Sequence, residues 1–578
     1  MKRYFEKMTP LGKEITEYEI GLMEENFHQI KGVEKEIAQA AEKVKQTGLP
    51  VETIHSRGEK TVYERIELLV DDESSFFPLN TLYDPEGNEE GTTGVVTGIG
   101  KIAGRCAVIV ASNNQILAGA WLPGHAEKIF RAQDISEQLR IPLVWLLECS
   151  GIKLTQQEKL YAGRRSGGRI FFRNAELTLK GISVLAGVFG TNTAGGGYHA
   201  ISSATIFAHK NANMAVGGAG IVSGMNPKGE FDLEGAEQIS EATRKSREAV
   251  PGSVSVHYEH TGFFKNVFET EEEVINALRD SIKMMSVYEP DLLRVAEPKG
   301  PFFPPYELNY IIPFNQKRVY NIEQVLARLF DNSEHTEYRS DYGPEVYCGL
   351  AKLDGFLTGV VANRQGFLPA GYPEYTDSPG IGGKLYRQGL IKMSEFVTLC
   401  GRDKIPMVWL QDTTGIDVGD QAEKAELLAL GQALIYSIED SDIPMATVVL
   451  RKGSAASHYI MGGPQANRNN VFTLGTPTAE IYVMHSETAA VATFARRLVR
   501  EKDAGRPLDG IIENMNKLVE QYYGYSRPPY CARVGFVDEI VSFHRLREYL
   551  VFFIQAAYQN PRSTCPSHQM LLPRIIKG

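Results

Sequence analysis

With 578 residues the chain is too long for one hydrophobic core, which stops growing near about 250–300 residues, so two domains are the simplest expectation. Hydrophobic content of 43% and charged content of 23% are those of a globular protein, and a formal charge of −10 argues against a nucleic-acid partner, which wants a basic surface. Six cysteines without CxxC spacing argue against a disulfide framework or zinc site, no apolar stretch approaches about 18 residues, and no apolar signal region follows Met1, so a reducing cytosol is the expected compartment.

In chain order, Glu14 to Gln46 is charged and helical in pattern, and residues 1–59 read as an N-terminal helical arm. Gly98-Ile-Gly-Lys-Ile-Ala-Gly104 then leads into an apolar run, Val108 to Ala111, that reads as a buried strand. A helical period from Ala126 to Leu139 precedes the strand Ile141-Pro-Leu-Val-Trp-Leu146 and the turn Glu148-Cys-Ser-Gly-Ile152. A further strand, Ile182-Ser-Val-Leu185, precedes Thr193-Ala-Gly-Gly-Gly-Tyr198. Glu289 to Phe314 holds six prolines and reads as an extended linker, with domains at 60–295 and 315–578 around a Pro-rich spacer at 296–314.

The second half repeats the first. Gly349-Leu-Ala-Lys-Leu-Asp-Gly355 matches Gly98–Gly104 at an offset of 251, and Ile405-Pro-Met-Val-Trp-Leu410 matches Ile141–Leu146 at 264. A helical stretch from Lys384 to Cys400 precedes that strand, Gly415-Ile416 answers Gly151-Ile152, and Ile443-Pro444 answers Ile182 at 261. Ser454-Ala-Ala-Ser457 falls opposite Ala194-Gly-Gly-Gly197 at 260. Ordered matches with slowly drifting offsets mean an internal duplication, and alternating strands and helices mean an α/β architecture.

The chemistry is expected at the small-residue turns that follow the strands. Absent side chains let backbone N–H groups approach a ligand, and two such turns together make an oxyanion hole. Isolated glycine triplets more often mark tight packing; recurrence of small residues in both halves favours function. Pro379-Gly-Ile-Gly-Gly-Lys384 lacks the spacing and hydroxyl of a phosphate-binding loop, and no nucleophile elbow or HExxH pattern occurs. His199 and His458 flank the turns and are expected to pack beneath them. Lys153, Lys159, Arg164, Arg165, Arg169 and Arg173 form a basic run after Gly151, whereas Asp417, Asp420, Glu423 and Glu426 follow Gly415. Such runs are usually solvated faces; this one is placed to meet a carboxylate or phosphates.

These turns, with Arg451-Lys-Gly-Ser-Ala-Ala-Ser-His-Tyr-Ile-Met461 and the duplication around them, resemble the carboxyltransferase family of biotin-dependent enzymes. The likeness covers nearly the whole chain and implies two tandem crotonase-like α/β domains. Gly119-Ala-Trp-Leu-Pro-Gly124, Phe171-Phe-Arg-Asn-Ala-Glu176, Ala215-Val-Gly-Gly-Ala-Gly-Ile221 and Gln411-Asp-Thr-Thr-Gly-Ile-Asp-Val-Gly419 resemble the glutaconyl-CoA decarboxylase branch. Cys149-Ser-Gly-Ile-Lys153 departs from the Asp-Ser-Gly-Gly-Ala-Arg common in acetyl- and propionyl-CoA carboxylases.

The resemblance implies transfer of the distal carboxyl of glutaconyl-CoA to biotin on a separate subunit, giving crotonyl-CoA and carboxybiotin. Gly151, Ile152, Gly195, Gly196 and Gly197 would serve the thioester carbonyl. Gly415, Ile416, Ala455, Ala456 and Ser457 would serve the biotin ureido oxygen. Ligand-binding positions expected around them are Ala118, Gly119, Ala120, Ser150, Lys153, Arg164, Arg165, Arg169, Tyr198 and Asp417. Implied partners are a biotin carrier, a membrane sodium-pump subunit holding this chain at the cytoplasmic face, and a second copy in a homodimer. The alternatives are the carboxyltransferase subunit of another biotin-dependent acyl-CoA enzyme, such as one acting on methylcrotonoyl- or methylmalonyl-CoA, and a non-catalytic CoA-binding scaffold. The Ala/Val-Met-Lys-Met tetrapeptide of biotin acceptors does not occur. Intact-mass measurement should therefore find no biotinyl adduct on the chain; a biotinylated mass would contradict transfer to a separate carrier.

Overall fold

The computed structural model describes residues 7–217, 233–234, 237, 252–285 and 289–560. The chain divides into two compact units, residues 40–288 and residues 1–39 together with 289–578.

In the first unit, strands β1 (Phe76–Leu79), β2 (Val95–Ile102), β3 (Arg105–Ser112), β4 (Leu143–Leu147), β5 (Val184–Val188), β6 (Thr205–His209) and β7 (Asn266–Phe268) form one sheet in the order β7-β6-β5-β4-β3-β2-β1. Strands β3 to β7 pair in parallel, and β1-β2-β3 is an antiparallel meander. Every residue of β4 and β5 is buried, as expected where helices cover both faces of a parallel sheet. Helices α1 (Val62–Leu69) and α4 (Glu271–Lys283) close one core around Ile66, Ile109, Val144, Phe189, Val274 and Leu278. Helices α2 (His125–Leu139) and α3 (Gly167–Leu179) pack on one another and bury Ile129, Ile135, Ile170 and Leu177.

The second unit repeats this plan with β8 (Glu334–Glu337), β9 (Val346–Leu353), β10 (Phe356–Asn363), β11 (Met407–Thr413), β12 (Met445–Ser454), β13 (Asn470–Gly475), β14 (Glu480–Tyr482) and β15 (Glu539–Ile540). The sheet order is β8-β9-β10-β11-β12-β13-β15, with Thr9–Pro10 beyond β8 and β14 beside the far end of β12. Helices α5 (Ile322–Leu329), α6 (Arg387–Asp403), α7 (Leu427–Asp440), α8 (Ser486–Asp503), α9 (Asp509–Ser526) and α10 (Phe543–Gln559) complete it. Leu390, Phe396, Trp409, Leu434 and Ile460 share one core.

The duplication holds to the residue. β3 and β4 pair Val108 with Leu143, while β10 and β11 pair Gly359 with Met407; β4 and β5 pair Leu143 with Val184, while β11 and β12 pair Met407 with Met445. These partners are related by the offsets 251, 264 and 261 found in the sequence.

Two elements differ from expectation. The Pro-rich stretch is no free spacer: Val295 N–H donates to the Gly355 carbonyl, and Leu308 and Ile312 are fully buried. The arm also packs, because the buried Asn26 amide donates to the carbonyls of Asn309 (2.9 Å) and Ile312 (3.1 Å), and Ile30 is buried on the same helix. Prolines restrict φ without preventing burial. Among the described residues no helix is long and apolar enough to cross a membrane.

Candidate active site

In the first half, β4 ends in Glu148-Cys-Ser and the chain turns at Gly151, whose φ of 108° favours glycine. The segment 117–121 runs beside this turn. Ser150 N–H donates to the Ala118 carbonyl (3.0 Å), Trp121 N–H to that of Gly151 (2.8 Å), and Lys153 N–H to that of Trp121 (3.0 Å). The second turn begins at Ala194, held at φ 49°, and opens the short helix Gly195–Tyr198. Thr193 joins the two turns: its N–H donates to the Cys149 carbonyl (3.1 Å) and its hydroxyl to that of Ser150 (2.8 Å). Among the described residues, the N–H groups of Gly151, Ile152, Gly195 and Gly196 meet no acceptor. Unpaired backbone donors on adjoining turns are groups that can stabilise a developing oxyanion.

The second half builds the same pair. Gly415 has φ 136°, and Gly415–Ile416 pairs with Lys384–Leu385 as Ile152 pairs with Trp121. The loop at Pro379–Lys384 thus supports this turn, and α6 begins after it at Arg387. Ala455, at φ 50°, opens the helix Ala455–Ile460, and the Thr413 and Ser457 hydroxyls lie 3.0 Å apart. The N–H groups of Ala456 and Ser457 have no acceptor among the described residues.

The strained alanines correct the register expected from sequence. Ala194 answers Ala455, an offset of 261 rather than 260, so Gly195 matches Ala456, Gly196 matches Ser457 and Gly197 matches His458. His199 and His458 are therefore not equivalents. His199 lies stacked between Trp121 and Trp145 at 4.8 Å from each, whereas the His458 ring meets the Gln411 amide oxygen at 2.9 Å. Burial pushes both imidazoles down, that of His458 to about 4, so both stay neutral near pH 7.

A buried ion pair closes each central strand. Arg65 of α1 donates to Glu148 (2.8 Å) and, through Nε and Nη2, to Glu271 (2.8 and 2.7 Å). Burial pushes the Glu148 carboxyl upward, opposed by the Arg65 charge. Asp412 occupies the matching position and takes the Nε of Arg451 (2.8 Å) and the ammonium of Lys452 (3.3 Å). Nothing near Arg65 in sequence signals this pairing; the acids at offset 264 were the available clue.

The other expected positions divide in role. A Cβ at Gly119 would lie 1.8 Å from the Glu148 carbonyl, so Ala118, Gly119 and the buried Ala120 brace the turn through backbone contact. The Ser150 hydroxyl donates to the Leu117 carbonyl (2.9 Å). Gly196 also packs: its Cβ would lie 2.1 Å from the Cys149 carbonyl oxygen, whereas one at Gly197 would lie 3.5 Å from that of Asn192. Tyr198 is 39% exposed and, with Gly197, Ile201, Met214, His257 and Phe263, lines an apolar cavity of about 310 Å³.

The basic run is largely paired within the chain. Lys153 meets Glu90 (2.6 Å), Lys159 Glu86 (3.3 Å), Arg165 Glu127 (3.9 Å), Arg169 Glu176 (2.7 Å) and Arg173 Asp134 (2.6 Å). Arg164 is exposed and without a partner among the described residues. Asp417 accepts from the Tyr375 hydroxyl (3.0 Å) and Lys384 (3.1 Å). Gly218–Ile221 of the Ala215–Ile221 motif and Cys565 lie outside the described residues.

A family model described as the carboxyl transferase domain matches residues 53–571. The chain belongs to the carboxyl transferase family. It is an enzyme of the biotin-dependent acyl-CoA carboxyltransferase class, with the crotonase-like α/β fold of that family. It is 52% identical over 580 residues to the glutaconyl-CoA decarboxylase subunit alpha of Acidaminococcus fermentans, covering 100% of this chain and 98% of the relative. It is 28% identical to the biotin-dependent 3-methylcrotonyl-coenzyme A carboxylase beta1 subunit of Mycobacterium tuberculosis, covering 84% and 86%. The crystal structure of the P. aeruginosa geranyl-CoA carboxylase beta subunit superposes with a TM-score of 0.77 at 22% identity, covering 96% and 99%, a likeness of fold.

The contrast between neighbouring glycines of this carboxyl transferase is testable by thermal melting. Gly197→Ala should melt at or above wild type, since alanine gains up to about 1 kcal/mol over glycine in a helix. Gly196→Ala should melt lower by the equivalent of about 1–3 kcal/mol, the cost of overpacking. Equal melting of the two variants would contradict the close approach of Gly196 to Cys149.

Proposed function

We propose that the chain is the carboxyltransferase subunit of a glutaconyl-CoA decarboxylase, moving the distal carboxyl group of glutaconyl-CoA to biotin carried by a partner subunit. The observation that carries the reading is the matched pair of donor turns, one set in each half. The 52% full-length identity to a glutaconyl-CoA decarboxylase subunit alpha supports the choice of CoA ester.

Loss of the distal carboxyl from glutaconyl-CoA leaves a dienolate whose charge delocalises onto the thioester oxygen. The unpaired N–H groups of Gly151, Ile152, Gly195 and Gly196 would hold that oxygen, and each such donor is worth about 3–4 kcal/mol of barrier. The second-half donors, Ala456 and Ser457 with Gly415 and Ile416 beside them, would hold the biotin ureido oxygen. Biotin would supply the nitrogen that accepts the carboxyl group and gives up its proton, and the dienolate takes up a proton to become the crotonyl ester. Ala456 is exposed and small, which suits approach by a group tethered to another chain.

The missing acceptor tetrapeptide supports a biotin carrier on a separate subunit. With it we propose a membrane sodium-pump subunit holding this chain at the cytoplasmic face, and a homodimer in which the CoA-ester turns of one copy serve the biotin turns of the other. We propose working domains of 60–295 for the CoA ester and 315–578 for biotin.

Incubating the purified chain with free biotin and a panel of CoA esters tests the reading. Glutaconyl-CoA should be decarboxylated in a biotin-dependent way, with methylmalonyl-CoA and the carboxylated form of methylcrotonoyl-CoA poorer carboxyl donors. Faster transfer with another ester would reassign the substrate. Tight CoA-ester binding with no turnover of any ester would favour a scaffold instead.

A further inference from the structure

We propose that Trp121 is the positioning residue that sets the spacing of the two donor turns in the first half, an inference resting on the reading of those turns as the CoA-ester site. Its main chain belongs to one turn: Trp121 N–H donates to the Gly151 carbonyl (2.8 Å), and its own carbonyl accepts from Lys153 (3.0 Å). Its side chain belongs to the other. The indole is 4% exposed, and a Cβ on Gly195 would sit 3.3 Å from its Cη2 edge. Its ring stacks on His199 (4.8 Å), which directly follows the helix Gly195–Tyr198.

The indole has no slack to move away. At Gly167, the first residue of α3, a Cβ would lie 1.7 Å from ring atom Cζ3, so only glycine lets the helix start against the ring. His125 of α2 stacks at 5.6 Å. One residue thus grips Gly151–Lys153 by hydrogen bonds and props Gly195 by ring contact, and its width fixes how far apart the two pairs of unpaired N–H groups stand.

The second half isolates the side chain's part. Leu385 makes the same backbone bridge, pairing with Ile416 and accepting from Asp417 N–H (3.0 Å), but carries no ring. The backbone grip is common to both halves; the aromatic spacer belongs to the first. Donor spacing matters most where charge is greatest, so an error in it lowers transition-state binding more than ground-state binding.

Steady-state carboxyl transfer to free biotin by the full chain tests this, with wild type, Trp121→Leu and Trp121→Phe. Trp121→Leu should lower kcat by about 10²-fold, the scale of small misplacements, while KM for the CoA ester stays within about twofold. Trp121→Phe restores a flat ring and should recover most of the loss. Wild-type kcat in Trp121→Leu, loss appearing in KM instead, or failure of phenylalanine to rescue would each overturn the proposal. Should Trp121→Leu not fold, Gly195→Ala decides: its methyl presses the turn off the ring edge, so kcat should fall at unchanged melting temperature, and unchanged kcat would overturn the proposal. These outcomes presuppose an active wild-type chain; a wild type that transfers nothing from any CoA ester overturns the functional reading, and the proposal with it.

Discussion

Three residues before each strained glycine, a buried carboxylate ends the central strand and meets a buried guanidinium: Glu148 with Arg65, Asp412 with Arg451. A charge in such a place is tolerable only when paired, and removing one partner of such a pair costs about 3–5 kcal/mol. The pair fixes where the strand stops, so the following turn starts from a defined point. The two halves solve the same problem differently. Arg65 comes from a helix far back in the chain and shares itself with Glu271, while Arg451 comes from the neighbouring strand and is joined by Lys452. The position of the acid is common to both halves, and its partner is not.

From that anchor the turns inherit a shared geometry with different linings. Gly151 and Gly415 both have positive φ, as do Ala194 and Ala455, and each first turn is bridged from outside by one residue, Trp121 or Leu385. Around the first turn lie glycines, aromatic rings and a basic run; around the second lie alanines, serines and acids. Most members of the basic run are already paired to glutamates or aspartates. The Arg169–Glu176 pair is exposed, and exposed ion pairs are worth only about 0–1 kcal/mol, so a ligand phosphate could displace it at little cost. Arg164, exposed and unpaired among the described residues, requires no such exchange.

The duplication was legible in the sequence because strand registers tolerate no slippage. A one-residue shift would turn buried residues such as Val144 and Val408 to the wrong face, so the offsets of 251, 264 and 261 reappear as hydrogen-bonded partners. The offset of 260 failed because alanines and serines look alike on paper; the residue with positive φ reveals itself only in three dimensions. Gly196 was legible as important, but its close approach to the Cys149 carbonyl was not. The prolines from 290 to 313 suggested a spacer because composition cannot tell an exposed extended segment from a packed one. Arg65 and Glu271 carried no local signal, since their partners lie far along the chain, and the Gly119–Gly124 motif that holds Trp121 did not show what its ring touches.

The division of labour between the two like turns is open to experiment at Ala456, exposed on the second-half turn beside an unpaired N–H. Calorimetric titration of a CoA ester into wild type and Ala456→Leu, alongside the apparent KM for free biotin, separates the two sites. Ala456→Leu should leave CoA-ester affinity unchanged while raising the biotin KM or blocking transfer. A fall in CoA-ester affinity in Ala456→Leu with the biotin KM unchanged would contradict that division.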